Sequence, residues 1–402
     1  MKTILRALKR ASVDRMRFLS CLHILNDGWL ASLPLLLPFI RRDLDLSFSE
    51  IGFLTSIASL ASVALALPSA SLSNRFGGFR MLRFALVIYS FSFLITSGAN
   101  SFAGFILAFT VGSIGFGMFH PISLSLVARS SSKSGLGKAM GNFTAIGDIG
   151  RIGVSACVTA MAAMCSWRIT ARLFGIIPIV LMLAYTALTR NEAFKREAGP
   201  RAKKTRGLLC NARLIQAIAC SFIDSLASSS LFVFIPFRYM HRGASTALLG
   251  SLSGAFFVGN MLGKVVFGKI ADIFESRTVF ICSELVMAGL LVALSATTSV
   301  PAMAAISIAL GAVTKGTVPV VNTFLATSFD DERLLDKAFG IASLVNGVAS
   351  AAAPLLFGFI TDRLGILRVF HTSAFLALLA TLPVAFHIAG DRNRRAEPRR
   401  AA

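Results

Sequence analysis

The sequence predicts an all-α membrane protein of twelve transmembrane helices in two pseudo-symmetric six-helix bundles. Composition, the number of apolar runs and an internal repeat carry this prediction. Of 402 residues, 55% are hydrophobic and only 15% charged, far less charge than a soluble chain of this length carries. Apolar stretches long enough to span a bilayer number twelve: 18–40, 50–70, 81–99, 102–127, 138–164, 169–189, 212–237, 246–267, 278–298, 301–327, 338–361 and 367–388. At ~1.5 Å per residue, the first reaches roughly 34 Å, enough to cross a ~30 Å hydrocarbon core.

The segments between these runs set the orientation. Residues 1–17 form a basic tail, in which Ile4, Leu5 and Leu8 alternate with Lys2, Arg6, Lys9 and Arg10 as in a short interfacial helix. The run that follows is too long for a signal-peptide core and stays as the first span. The first bundle occupies 18–189, a basic linker 190–211, the second bundle 212–388, and a second basic tail 389–402. With the N-terminus cytoplasmic, thirty Lys and Arg fall on the inner side and eight on the outer; Arg151 and Lys315 lie within spans. This asymmetry places both termini in the cytoplasm. The net charge of +21 therefore reflects topology and offers no nucleic-acid surface; the basic tails and linker would meet anionic lipid. The six cysteines are scattered without metal-ligand spacing and read as packing residues.

The two halves repeat each other. Gly112 and Gly117 recur as Gly311 and Gly316, and Lys138-Ala139-Met140-Gly141 as Lys337-Ala338-Phe339-Gly340. Gly52 matches Gly250, Asn74 matches Asp272, and Asp27 matches Asp224. One acidic residue thus recurs near the middle of the first span of each half. Transporters built from repeated halves place substrate and coupling-ion sites near the midplane, where the halves meet.

The segment Ala70-Ser71-Leu72-Ser73-Asn74-Arg75-Phe76-Gly77-Gly78-Phe79-Arg80 resembles the signature loop of the major facilitator superfamily. Arg75, Gly77 and Arg80 match, while Ala70 and Asn74 replace the Gly and Asp. Its echo after the eighth span keeps Gly268, Asp272 and Arg277 but loses the Arg to Ile273 and the second Gly to Glu275. The resemblance implies a cytoplasmic latch holding one access state, with Asn74 able to cap a helix but not to offer charge. The first half is similar to fosmidomycin-resistance exporters through Leu22-His23-Ile24-Leu25-Asn26-Asp27, Phe119-His120-Pro121 and a Gly-rich fifth span. That span has Gly147, Gly150 and Gly153 but not the Gly-Pro pair of the antiporter signature.

In that superfamily the first, fourth, seventh and tenth spans line the cavity. Here they carry Asp27, His120, Asp224 and Lys315, and the fifth span adds Asp148 and Arg151 one turn apart. A carboxylate at midplane depth is costly unless it faces a polar cavity or a partner. Asp27 is the first candidate for proton coupling, with His23 one turn away, and Asp224 the second. Arg151 and Lys315 would hold an anionic group, with Ser228 and Asn322 as polar lining. Each has a structural alternative. Asp148 and Arg151 could neutralise each other, Lys315 could pair with Asp27 or Asp224, Glu284 could pair with Arg277, and either histidine could be a packing residue.

The expected function is proton-coupled export of a small amphiphilic or anionic compound by alternating access. Import of a nutrient such as a sugar, organic acid or siderophore on the same fold is the second reading, and a non-transporting sensor or scaffold the third. The implied partners are a small-molecule substrate, protons and anionic lipid around a monomer in the bacterial inner membrane. No nucleophile constellation, metal cluster or phosphate loop supports an enzyme, and no cofactor or metal is implied.

Overall fold

Successive serines decide where one of the apolar runs breaks. In the computed structural model, which describes residues 2–130, 136–188, 212–326 and 335–396, no strand occurs among the described residues. The first half comprises α1 (Lys2–Leu44), α2 (Phe48–Phe76), α3 (Gly78–Gly98), α4 (Phe102–Ser130), α5 (Leu136–Met164) and α6 (Trp167–Leu188). The second comprises α7 (Ala212–Ser228), α8 (Leu231–Met240), α9 (Leu249–Ile273), α10 (Ser276–Ala296), α11 (Val300–Ala326), α12 (Leu335–Leu364) and α13 (Ile366–Ala396). Ten stretches are long and apolar enough to cross a membrane, with α7 and α8 counted together as one; α1 and α6 complete the twelve.

Two local expectations change. The N-terminal basic segment does not form a separate interfacial helix, because α1 runs unbroken for 43 residues from Lys2. The seventh span, expected as one helix over 212–237, breaks at Ser229 and Ser230, where the Val233 N–H turns back to the Ser230 carbonyl at 2.9 Å. Three successive serines whose hydroxyls compete for backbone groups weaken a helix there. The linker 190–211 and the acidic loop at Asp330, Asp331 and Glu332 lie outside the described residues.

Small residues let the helices approach. A Cβ on Gly259 or Gly263 would strike the backbone of Ile308 or Ala312, so α9 packs directly on α11. α1 packs on α5 in the same way, with Gly150 against the Ile24 carbonyl. Between the halves, α2 meets α12 and α5 meets α9.

The contacts between halves extend as deep as Gly347 against Val63 and Lys264 with Asp148, and begin next to the turns after Leu44 and Leu364. There Asp362 of α12 accepts from the Phe48 and Ser49 N–H groups at 2.9 and 2.7 Å. It thereby caps α2, whose own capping box pairs Ser47 with Glu50. Gly52 lies against Pro354 and Gly358 against Phe48. On the α5 and α9 side, the Gly250 N–H donates to the Thr159 hydroxyl at 2.9 Å.

Two arginines expected in the outer loops are structural at this end. Arg238 is 1% exposed. Its guanidinium donates to the carbonyls of Leu294, Ser295 and Thr297 at the end of α10. Arg168 does the same for α3, reaching the carbonyls of Ser97 and Ala99. Both satisfy carbonyls that a helix C-terminus leaves open, and their charge suits the helix dipole.

Candidate functional site

The site begins where α5 crosses α1. Gly147 makes the crossing close enough for chemistry: a Cβ there would lie 2.5 Å from Asp27 Oδ2 and 2.7 Å from His23 Nε2. Asp27 is 2% exposed and crowded with donors. Arg151 Nη2 meets its Oδ2 at 2.8 Å, and Asn26 donates to Oδ1 at 3.0 Å. His120 Nε2 approaches Oδ1 and His23 Nε2 approaches Oδ2, each at 3.3 Å.

The tautomer of His23 follows from its other nitrogen. Nδ1 lies 2.8 Å from the Phe143 carbonyl, which can only accept, so Nδ1 carries a hydrogen. In a neutral ring Nε2 is then a bare lone pair, facing a carboxylate oxygen. Nε2 has no hydrogen-bond donor or acceptor partner among the described residues.

The network continues across the molecule. Arg151 Nη1 holds Asp148 Oδ1 at 3.2 Å, and Asp148 Oδ2 receives Lys264 Nζ of α9 at 2.5 Å. Asp27, Arg151, Asp148 and Lys264 thus alternate in sign and join the first half to the second. Asp148 and Arg151 do pair, but Arg151 is shared with Asp27, which the sequence did not reveal. In the sequence Lys264 is only one of the basic residues on the inner side. Its signal was its position one turn after Asn260 on an apolar span.

Beside this chain lies a central cavity of about 800 Å³. Arg151 lines it from the first half, and Lys315, Ser228 and Asn260 from the second. Lys315 makes no ion pair among the described residues, so neither expected pairing, with Asp27 or with Asp224, is formed. Asp148 is fully buried behind Arg151, and His120 belongs to the Asp27 cluster while its side chain is 29% exposed. Asp224 stands apart: Thr317 Oγ1 lies 3.4 Å from its Oδ2. The side chains of Asn74, Asp272 and Asn322, and Gly268, lie outside what is described. In the motif loop, Gly77 has φ +92°, a conformation that favours glycine, and forms the whole link between α2 and α3. Arg75 and Arg80 are exposed and Arg277 half-buried.

His23, Asp27 and His120 each offer a ligand atom, all within 4.8 Å of one another, a spacing suited to a metal ion. The Arg151 guanidinium already occupies Asp27 and opposes a second cation there.

Two repeated halves packed around a charged central cavity define a membrane transporter. The sequence matches the Major Facilitator Superfamily over residues 19–219 and again over 217–402. The chain belongs to that superfamily. It is similar to a probable nitrate transporter of Staphylococcus epidermidis, 25% identical over 82% of this chain and 84% of that protein. It is also similar to a nitrite extrusion protein of Bacillus subtilis, 22% identical over 82% of each. A probable L-galactonate transporter of Escherichia coli is 28% identical over 46% of this chain and 41% of that protein. Among solved structures, a bacterial homologue of the human lysosomal transporter Spinster, inward-facing and occupied, superposes with a TM-score of 0.74. It is 14% identical and covers 94% of this chain and 97% of that one. At that identity the likeness shows the fold.

Proposed function

We propose that the protein carries a small anion across the bacterial inner membrane by alternating access, together with a proton bound at Asp27 and His23. The observation that carries this reading is the sharing of Arg151, on the cavity wall, between Asp27 and Asp148. A proton on Asp27 removes the charge that holds Nη2 and frees a forked donor toward the cavity. An anion captured there, with Lys315 opposite, in turn keeps Arg151 away from Asp27 and favours the proton. The two ligands assist each other, and by linkage they travel together. This logic favours the uptake reading over export.

The relatives named for nitrate, nitrite and galactonate support an anion over a neutral amphiphile. The cavity volume and the serine and amide lining suit a hydroxylated organic acid better than a triatomic or tetra-atomic ion. With both termini cytoplasmic, the end where Asp362 caps α2 faces outward.

Thermal stabilisation of the purified protein by nitrate, nitrite, galactonate and a neutral amphiphile, across pH, tests this. One anion is expected to stabilise, more strongly at lower pH, and Arg151→Gln is expected to abolish the effect. Stabilisation by the amphiphile alone would contradict the reading.

A further inference from the structure

The second half holds a carboxyl group for which the chemistry at Asp27 has no use. Glu284 of α10 is 0% exposed, and neither of its oxygens has a hydrogen-bond partner among the described residues. The expected pair with Arg277 is therefore not made. Asp224 of α7 is 7% exposed, and its Oδ1 is equally without a partner.

The two acids lie at one level of the bundle. Cys220, Phe280, Val320 and Val321 pack in a single apolar cluster contributed by α7, α10 and α11. One turn further along these helices stand Asp224, Glu284 and Thr317. Asp224 is within Coulomb reach of Glu284, and both reach the Cys220 thiol. Lys315 is the charged group that faces Asp224 from α11. On the α13 side, His371 is engaged with Ser295 of α10, three turns beyond Glu284.

An ionised Glu284 would be an uncompensated charge beside a like charge in apolar surroundings. Proteins avoid this by neutralising the group. A hard metal cation would need several oxygen ligands around it, whereas Glu284 has no hydrogen-bonding oxygen beside it among the described residues. A proton needs only the carboxylate oxygen that holds it.

We propose that Asp224 and Glu284 form a second proton-binding site, confined to the second half, in which Glu284 holds the proton at neutral pH and Asp224 exchanges it with the cavity. The route is short, since Ser228, one turn beyond Asp224, and Lys315 both line the cavity. When the proton leaves Glu284, a bridging water carries it to the Asp224 carboxylate and from there to cavity water, and Lys315 faces the Asp224 charge that remains afterwards. The site does not depend on the Asp27 chemistry.

Infrared spectroscopy of the reconstituted full-length protein tests the proposal without any substrate. A protonated-carboxyl C=O band is expected at neutral pH, retained in Asp27→Asn and lost in Glu284→Gln. In Asp224→Asn, which removes the like charge, the band should persist to higher pH. That variant also serves if Glu284→Gln does not fold. The proposal is overturned if wild type shows no such band, if the band survives Glu284→Gln, or if its titration is unmoved by Asp224→Asn. Erasure of the band by sodium at constant pH would also overturn it, since the site would then take a metal cation.

Discussion

The surroundings of Asp27 rest on one glycine. Gly147→Ala would push a methyl group into Asp27 and His23, at a cost of roughly 1–3 kcal/mol by the usual penalty for overpacking. A lower thermal midpoint and loss of transport are expected, while Gly153→Ala, with nothing within 4 Å of the added carbon, should leave both unchanged. Lys264→Met should leave Asp148 to Arg151 alone. The guanidinium is then drawn from Asp27 toward Asp148, and proton-coupled flux should fall without loss of fold, as flux and melting measured on one preparation would show. Asp27, Arg151 and Asp148 were legible as candidates because charge inside an apolar run stands out in any sequence. Lys264 was not, because its value depends on a contact with Asp148, 116 residues away. The orphaned state of Glu284 was equally hidden: the spacing to Arg277 suggested a pair that the packing of α10 does not make.

At the scale of helices, the cap that one half places on the other is expected to bear on which state is held. Asp362 caps α2 from the opposite half with two N–H bonds, an anion at a helix N-terminus worth about 1 kcal/mol. Asp362→Ala should shift the balance toward the state open at that end by roughly fivefold. A cysteine placed at Thr55, buried below this contact, in a background without other cysteines, should then react faster with an impermeant maleimide applied from that side. Unchanged reactivity would return Asp362 to an ordinary cap. The elements themselves were legible from hydropathy, since twelve apolar runs become twelve spans. The break at Ser229 and Ser230 was not, because the residues on either side are as apolar as those of any continuous span. The roles of Arg168 and Arg238 were hidden for a related reason: a charge count sees an arginine near a span end but not the carbonyls it satisfies.

At the scale of the whole molecule, two halves related by repeat have diverged in their charges. The first gathers Asp27 with two histidines and an arginine, and the second keeps Asp224 with an unpartnered glutamate. The Asp148 to Lys264 bond ties the two halves at the cavity. Any rocking of one half against the other must stretch this bond, so the charge state of the chain and the access state of the cavity are expected to be linked. In the proposed cycle a proton on Asp27 releases Arg151 to an anion. The most direct test is anion accumulation in proteoliposomes after an inward proton gradient is imposed, comparing wild type with Asp27→Asn. Wild type should accumulate the anion above equilibrium, and Asp27→Asn should exchange anion across the membrane but accumulate none. Gradient-driven accumulation that survives in Asp27→Asn would contradict the account.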